Sequence, residues 1–285
     1  MNKIPLIVIV GPTSSGKTST SIDLAKYLHK IGITAEIISA DSRQVYKGLD
    51  LLSGKVTNKE MAGFTHHMLD VVSPKKTFSV SDYQKQSTKI IKEIYARGNM
   101  PILVGGTGFY IDAVVNNFVL PEVAPDYKLR TEYTTKSAIA NFVVLKRLDP
   151  ERAKHIDPNN NVRIIRAIEI AKALGKVPKI KKSKIYDTLW IGIDLEDKKL
   201  KENITKRLVS RLKSGMIRET KRLHNSGVSY KRLKTLGLEC KYCALYLECK
   251  ISKSEMIAEL EKEIWQYVKR QRTWFKRNKD IIWLK

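Results

Sequence analysis

The stretch IPLIVIVGPTSSGKT at residues 4–18 decides the fold of this chain of 285 residues. Leu6–Val10 is a continuous run of mostly β-branched apolar residues, which predicts a parallel strand covered on both faces. The run leads into GPTSSGKT at residues 11–18, which fits the phosphate-loop motif at every fixed position and opens a predicted helix. Together these features indicate a ligand that carries a di- or triphosphate group, without saying which one.

Each part of this loop has a physical role toward phosphate. Gly11 and Gly16 allow backbone N–H groups to converge on phosphate oxygens, and the helix N-terminus adds positive potential. Lys17 adds a point charge, and the hydroxyl of Thr18 can ligate Mg²⁺, which makes Thr18 the predicted metal ligand. The predicted diphosphate-binding residues are Gly11, Pro12, Thr13, Ser14, Ser15, Gly16, Lys17 and Thr18.

The first part of the chain alternates between predicted strands and predicted helices. Apolar strands are predicted at Ala35–Ala40 and Pro101–Val104, and helices at Thr18–His29 and Ser81–Arg97. Such alternation is typical of an α/β fold with a doubly wound parallel sheet. We therefore expect a phosphate-loop α/β core.

The alternation ends after about Val115, and a mainly helical stretch follows. Strand character returns at Leu189–Leu195, after which basic helices are predicted to about Lys279 and a short final strand at Ile281–Leu284. The predicted domains are an α/β core with a C-terminal helical tail at 1–114 and 186–285, and a helical insertion at 115–185.

The charge of the chain is strongly positive. Against 53 Lys and Arg residues there are 29 Asp and Glu residues, which gives a formal net charge of +24. A field of this size attracts a polyanion such as nucleic acid, although a basic proteome would produce the same balance. Positive charge is concentrated in the C-terminal tail, because Lys269–Lys279 contains six Lys or Arg residues and no acid. Trp274 and Phe275 interleave with these charges, and we expect Trp274 to pack inward.

Cysteine content and apolar run length indicate the compartment. The three cysteines, Cys240, Cys243 and Cys249, are an odd count, which argues against a disulfide framework and favours a reducing compartment. Cys240 and Cys243 have zinc-like spacing, but no second pair follows, so core or surface thiols are favoured. No stretch approaches the ~20 apolar residues of a membrane span. The sequence therefore predicts a cytoplasmic protein without a membrane segment.

Acidic residues and histidines near the strand ends are the candidates for chemistry. The strand ending at Val104 is followed by glycines rather than by the acid that usually holds metal in nucleotide hydrolases. Asp41, directly after the second strand, is the acid best placed to face the phosphates, with a turn cap as its alternative role. Asp70 also follows an apolar run, and a metal role for it stays open. His66 and His67 are adjacent, so their side chains should point apart.

A series of segments, in order and covering nearly the whole chain, resembles the motifs of the tRNA dimethylallyltransferases, also called tRNA isopentenyltransferases. The segments are Gly11–Thr18, Asp41–Tyr46, His67–Asp70, Phe78–Val80, Leu103–Tyr110, Arg163–Ala167 and Lys269–Phe275. The resemblance implies transfer of a dimethylallyl group from dimethylallyl diphosphate to N6 of adenosine 37 in the anticodon stem-loop of tRNA. Diphosphate is released, and Mg²⁺ is the expected cofactor. A monomer is expected.

The resemblance also assigns roles to residues. Asp41 matches the residue that accepts the N6 proton, and Arg207 matches an arginine that contacts diphosphate. The implied catalytic residues are Asp41, Lys17, Thr18 and Arg207. The implied tRNA contacts are Asp41, Ser42, Arg43, Gln44, Thr107, Arg130, Val162, Arg163, Ile164, Ile165, Arg166 and Gln271. The sequence departs from the family at Asn203, where an arginine is frequent, and at Cys240, where a tyrosine is usual.

Three alternatives remain open at this point. An adenylate isopentenyltransferase would use the same loop to prenylate a free nucleotide, but it does not require a basic insertion and tail. A small-molecule kinase would bind ATP in the loop, and the basic run Lys176–Lys184 could imitate its lid. A non-catalytic RNA-binding descendant is disfavoured by the intact Lys17, Thr18 and Asp41.

Overall fold

Six parallel strands form one sheet in the order β3-β2-β4-β1-β5-β6 in the computed structural model, which describes residues 3–284. The strands are β1 (Ile4–Val10), β2 (Ala35–Ala40), β3 (His66–His67), β4 (Met100–Gly105), β5 (Tyr186–Ile193) and β6 (Ile282–Leu284). The doubly wound α/β fold predicted from the sequence is confirmed. β3 was not predicted, because two residues are too few for a periodic pattern.

Helices cover both faces of this sheet. They are α1 (Lys17–Lys30), α2 (Asn58–Met61), α3 (Val80–Ala96), α4 (Gly108–Val115), α9 (Asp197–Lys213), α10 (Met216–Asn225), α11 (Tyr230–Leu233), α12 (Leu238–Leu247) and α13 (Lys253–Phe275), and the four helices numbered between α4 and α9 lie in the insertion described below. Among the helices of residues 3–284, none is long and apolar enough to cross a membrane. Cys240 and Cys243 are buried free thiols in α12, and Cys249 is exposed and free.

The central strand β1 shows why its sequence is apolar throughout. Successive side chains of a strand point to opposite faces of the sheet. Leu6 and Val8 therefore join the core on one face, which includes residues of α3, α4 and α13, while Ile7 and Ile9 join the core under α1. A strand buried on both faces has no polar alternation, so the continuous apolar run follows from its central position.

The chain divides into two compact units. One comprises residues up to Asn117 together with residues from Lys184 onward, and the other comprises Phe118–Ser183. The second unit contains α5 (Tyr127–Thr134), α6 (Ala138–Leu148), α7 (Pro150–Ala153) and α8 (Asn161–Leu174). Its own core includes Leu129, Leu145 and Ile168.

Candidate active site

The loop between β1 and α1 has the backbone that a phosphate cradle requires. Gly11 and Gly16 have backbone φ values of 153° and 98°, which residues other than glycine rarely adopt. A Cβ atom on Gly11 would also overlap the carbonyl oxygen of Ile193 in β5. Gly16 caps α1, so the free amides of the first helical turn point out of the N-terminal end of the helix, where anions bind. The glycine conformations therefore suit a phosphate cradle, and phosphate binding by this loop stays a prediction.

Lys17 is held by the backbone of its own loop. Its Nζ donates a hydrogen bond to the carbonyl oxygen of Pro12 at 2.6 Å. Desolvation of the ammonium group, together with the nearby charge of Arg207, lowers the pKa of Lys17 to about 8, although Asp41 opposes the shift. A bound diphosphate would favour the charged form, because an opposite charge stabilises an ammonium ion.

Arg207 extends from α9 toward the same loop. Its Nη2 donates to the carbonyl oxygen of Gly54 at 2.9 Å. Burial, and then the charge of Arg211, lower the pKa of Arg207, while Glu239 and then Asp41 raise it. Lys17 and Arg207 thus place two cations along the same cavities, which is the arrangement expected of a site for a multivalent anion.

Two cavities adjoin these cations. The larger, of about 710 Å³, includes Ser14, Lys59 and Asn203 in its lining. The smaller, of about 100 Å³, is lined by Asp41 and by the glycine loop that follows β4. Four residues line both cavities: Lys17, Thr18, Val56 and Arg207. The phosphate-binding groups therefore stand between a wide opening and a narrow space that contains a carboxylate.

Asp41 lies directly after β2, as the sequence predicted, and it also caps a turn. Its Oδ1 accepts hydrogen bonds from the backbone N–H groups of Arg43, at 2.7 Å, and Gln44, at 3.4 Å. The turn cap considered as the alternative role is thus present, while the same side chain lines the cavity with Lys17 and Arg207. One carboxylate oxygen is fixed by the turn, which orients the other.

Several of the predicted tRNA contacts surround Asp41. The Oγ1 of Thr107 accepts a hydrogen bond from the backbone N–H of Ser42 at 3.1 Å. The Nε2 of Gln44 donates to the carbonyl oxygen of Gly54 at 3.4 Å, and Arg43 donates to that of Thr235 at 3.3 Å. The structure therefore brings Ser42, Arg43, Gln44 and Thr107 to the same end of the sheet as Asp41.

Helix α13 supplies residues that sequence reasoning missed or placed differently. Tyr267 lines the smaller cavity, and burial raises the pKa of its phenol to about 12. Gln271, one helical turn further, is 5% exposed and lines the same cavity. The i, i+4 spacing of these two residues could have indicated one shared helix face. Trp274 packs inward as expected, and its Nε1 donates to Asp112 Oδ2 at 3.0 Å.

Asn203, the departure from the family pattern in α9, also contacts the phosphate loop. Its Nδ2 donates to the carbonyl oxygen of Ser14 at 3.2 Å. The side chain therefore supports the loop through a neutral hydrogen bond.

The adjacent histidines point in different directions, as predicted. His66 lines the smaller cavity, with its Nδ1 at 2.9 Å from the carbonyl oxygen of Phe64, and burial lowers its pKa. His67 instead has its Nε2 at 2.7 Å from Glu36 Oε2. Asp70, whose metal role the sequence left open, forms an ion pair with Lys55. Within residues 3–284 no cluster of three or more His, Cys, Asp or Glu residues could hold a metal ion.

The remaining predicted tRNA contacts lie in the unit Phe118–Ser183. Arg130 and Arg166 both form ion pairs with Glu169, whose side chain is buried. Val162 is 80% exposed and Arg163 is exposed as well. The neighbouring residues Ile164 and Ile165 pack into the core of this unit, so their side chains serve its stability. The tRNA contacts implied for this segment stay predictions.

Comparison with known proteins identifies relatives over nearly the full length. A family model described as IPP transferase matches residues 44–278. The tRNA dimethylallyltransferase of Halalkalibacterium halodurans is 36% identical, and the alignment covers 99% of this chain and 91% of that protein.

Solved structures are similar as well. The full-length tRNA isopentenylpyrophosphate transferase from Bacillus halodurans has a TM-score of 0.74 and 36% identity, over 99% of this chain and 90% of that chain. A eukaryotic dimethylallyltransferase acting on tRNA has a TM-score of 0.82 and 25% identity, over 98% of this chain and 73% of that chain.

Proposed function

Because this chain belongs to the IPP transferase family, we propose that it is a tRNA dimethylallyltransferase. It transfers a dimethylallyl group from dimethylallyl diphosphate to N6 of adenosine 37 in the anticodon stem-loop of tRNA, giving N6-(dimethylallyl)adenosine and diphosphate. The proposal is supported by relatives of that name which align over nearly the whole chain.

One structural observation carries the proposal. Lys17, Thr18 and Arg207 line both cavities, and Asp41 lines the smaller one. A diphosphate held by the loop would therefore place its prenyl carbon toward a space that holds a carboxylate. An acceptor amine entering that space would meet the carbon on one side and the carboxylate on the other.

The phosphate loop stabilises the leaving group. As the bond between the prenyl carbon and oxygen breaks, negative charge develops on the diphosphate. Backbone amides of the loop, the ammonium group of Lys17 and the guanidinium group of Arg207 are fixed near that charge before the reaction begins. Preorganised donors of this kind act strongly in a partly desolvated site, because they need little reorganisation as charge develops.

Asp41 has the chemistry to activate the acceptor. Adenine N6 is a poor nucleophile, because its lone pair is delocalised into the ring. A carboxylate that accepts the N6–H hydrogen bond raises the electron density on nitrogen and takes the proton as the new N–C bond forms. The turn bonds to Oδ1 hold this side chain in place. To reach it, the adenine must leave its stack in the anticodon loop.

Mg²⁺ is the proposed cofactor. Thr18 lies beside Lys17 in the first turn of α1 and lines both cavities, so its hydroxyl would be the group of this chain that holds the cation. When bound, the ion would neutralise charge on the diphosphate.

The proposed macromolecular partner is tRNA, which also places the protein in the cytoplasm. Lys269 and Arg270 on α13, and Lys276 and Arg277 directly after it, are exposed and suited to phosphate contacts. Arg272 differs from them, because it forms ion pairs with Asp194 and Asp197. A monomer is proposed, and light scattering of the purified chain tests it.

A single labelling experiment separates the proposed function from its rivals. The protein is incubated with Mg²⁺ and labelled dimethylallyl diphosphate in the presence of tRNA, AMP or ATP with a small-molecule acceptor. We expect label in tRNA, at adenosine 37 after nuclease digestion. Labelled AMP would identify an adenylate isopentenyltransferase, and ATP turnover with unlabelled tRNA would identify a kinase.

A further inference from the structure

Gln271 joins two loops of the site, and we propose that it is a positioning residue for the bound diphosphate. The resemblance assigns this residue to tRNA contact. Its side chain instead lies between the phosphate loop and the glycine loop after β4, and its role in this inference is to fix the backbone of Pro12–Thr13. The inference rests on the proposed function only in naming diphosphate as the ligand.

Both ends of the Gln271 amide are engaged. The backbone N–H of Thr13 donates to Oε1 at 2.9 Å, and Nε2 donates to the carbonyl oxygen of Gly106 at 2.9 Å. These partners require an acceptor and a donor on one side chain of this length. Glutamate lacks the donor, methionine and leucine lack both, and asparagine is one methylene shorter. Glutamine is therefore the residue that satisfies both loops.

The glycines of the loop after β4 allow α13 to pack closely against that loop. A Cβ atom on Gly106 would overlap the Nε2 atom of Gln271, and a Cβ atom on Gly108 would overlap the ring of Trp274. Two glycines of the Gly105–Gly108 motif thus admit two side chains of α13. The Gly105–Gly108 motif and Gln271 are therefore complementary parts of one contact.

The contact has a direct consequence for the phosphate loop. The N–H of Thr13 is occupied by Gln271, so the amides that can receive phosphate begin at Ser14. The neighbouring carbonyl oxygen, that of Pro12, accepts the hydrogen bond from Lys17 Nζ at 2.6 Å. Gln271 therefore fixes the peptide group against which the lysine ammonium rests. Without it, the Pro12–Thr13 segment and Lys17 lose their common support.

Loss of the Gln271 hydrogen bonds should affect diphosphate binding as well as the stability of the fold. Gln271 lines the smaller cavity together with Lys17, Asp41 and Arg207. Removing its amide would leave the N–H of Thr13 and the carbonyl of Gly106 without their partner, at a cost of roughly 1–3 kcal/mol for an unsatisfied buried group. The phosphate loop would avoid part of this cost by changing its conformation, and the changed loop would bind diphosphate poorly.

Binding of inorganic diphosphate in the presence of Mg²⁺, measured by calorimetry on the full chain, tests the proposal. Gln271→Ala should weaken that binding by roughly tenfold, which corresponds to about 1.4 kcal/mol. Binding of tRNA alone should change less than twofold, and the KM for dimethylallyl diphosphate should rise more than the KM for tRNA. Lys262→Ala, an exposed position on the same helix, is the matched control and should bind diphosphate as the parent protein does.

Gln271→Glu keeps the size of the side chain and carries the test if the alanine variant does not fold. It retains an acceptor for Thr13 but sets a carboxylate oxygen against the carbonyl of Gly106, so diphosphate binding should again fall by tenfold or more. Unchanged diphosphate affinity in the folded variants would overturn the proposal. Loss confined to tRNA binding would instead make Gln271 a tRNA contact. A parent protein that binds diphosphate but leaves tRNA unmodified would refute the proposed function and not this inference.

Discussion

The guanidinium group of Arg207 donates to the carbonyl oxygen of Gly54 at 2.9 Å, which joins helix α9 to the loop that follows β2. Gly54 has a φ of 59°, and a Cβ atom there would overlap the guanidinium group. Gln44 donates to the same carbonyl oxygen at 3.4 Å. The arginine, which lines both cavities, is therefore held by a backbone acceptor.

Replacing Arg207 should reduce turnover of the diphosphate substrate. We expect Arg207→Ala to lower kcat/KM for dimethylallyl diphosphate by about 10²–10³-fold, because a preorganised donor to the leaving group is lost. Arg207→Lys should recover part of this loss, since it restores the charge without the planar fork. Steady-state kinetics at saturating tRNA measure the effect. Lys199→Ala, exposed on the same helix, is the control, and near-parental kinetics of Arg207→Ala would contradict the assignment.

Asp41 can be tested with its turn kept intact. In Asp41→Asn the amide oxygen can still accept from the backbone N–H groups of Arg43 and Gln44, but the group no longer takes a proton. Turnover should therefore fall by about 10²–10⁴-fold, with tRNA binding retained. Single-turnover transfer and filter binding of tRNA measure the two quantities. If turnover and tRNA binding fell equally in Asp41→Asn, the residue would be assigned to tRNA contact instead of proton transfer.

The lowered pKa of Lys17 predicts how diphosphate binding depends on pH. Because the pKa lies at about 8 instead of 10.5, the free protein loses the ammonium charge as pH rises through 8. The dissociation constant for inorganic diphosphate should therefore increase between pH 7 and pH 9.5, since anion binding favours the protonated lysine.

Lys17→Arg provides the control for this pH dependence. Arginine stays charged over the whole range, and the ionisation of diphosphate itself is common to both proteins. The difference between the two pH profiles, measured by calorimetry, isolates Lys17. Parallel profiles would show that the lysine does not titrate in this range.

Local sequence patterns indicated the phosphate loop and Asp41, whereas Arg207 and Gln271 were named only through the resemblance and their contacts with distant loops were not predicted. The phosphate loop and Asp41 were found because each follows an apolar strand, and parallel strands bring their carboxyl ends to one edge of the sheet. Thr13 and Gln271 are 258 residues apart, and Ser14 and Asn203 are 189 apart. Which face of α9 or α13 meets the loop depends on tertiary packing, which no local pattern encodes.

In the insertion, too, the sequence did not show which side chains are buried by tertiary packing. The resemblance implied tRNA contacts along Val162–Arg166 as one segment. A helix presents neighbouring residues to different sides, so Ile164 and Ile165 enter the core while Val162 is exposed. The glycines at 105–108 were recognisable as a motif. The reason why positions 106 and 108 exclude a Cβ atom is the close approach of Gln271 and Trp274, which the sequence does not show.

Charge reversal at the end of α13 should weaken tRNA binding in a salt-dependent way. Lys269 and Arg270 are exposed and lie over the rings of Trp265 and Tyr267, so Lys269→Glu with Arg270→Glu changes mainly the surface charge. If each residue neutralises a phosphate, the slope of log K against log salt should become shallower by about 0.7–0.9 for each phosphate that is no longer neutralised. Binding of inorganic diphosphate should stay unchanged, because that site depends on the buried face of the helix. Lys85→Glu with Lys89→Glu, an exposed double reversal on α3, makes the same change in net charge, and an equal effect there would mean that the tail attracts tRNA only through the overall field.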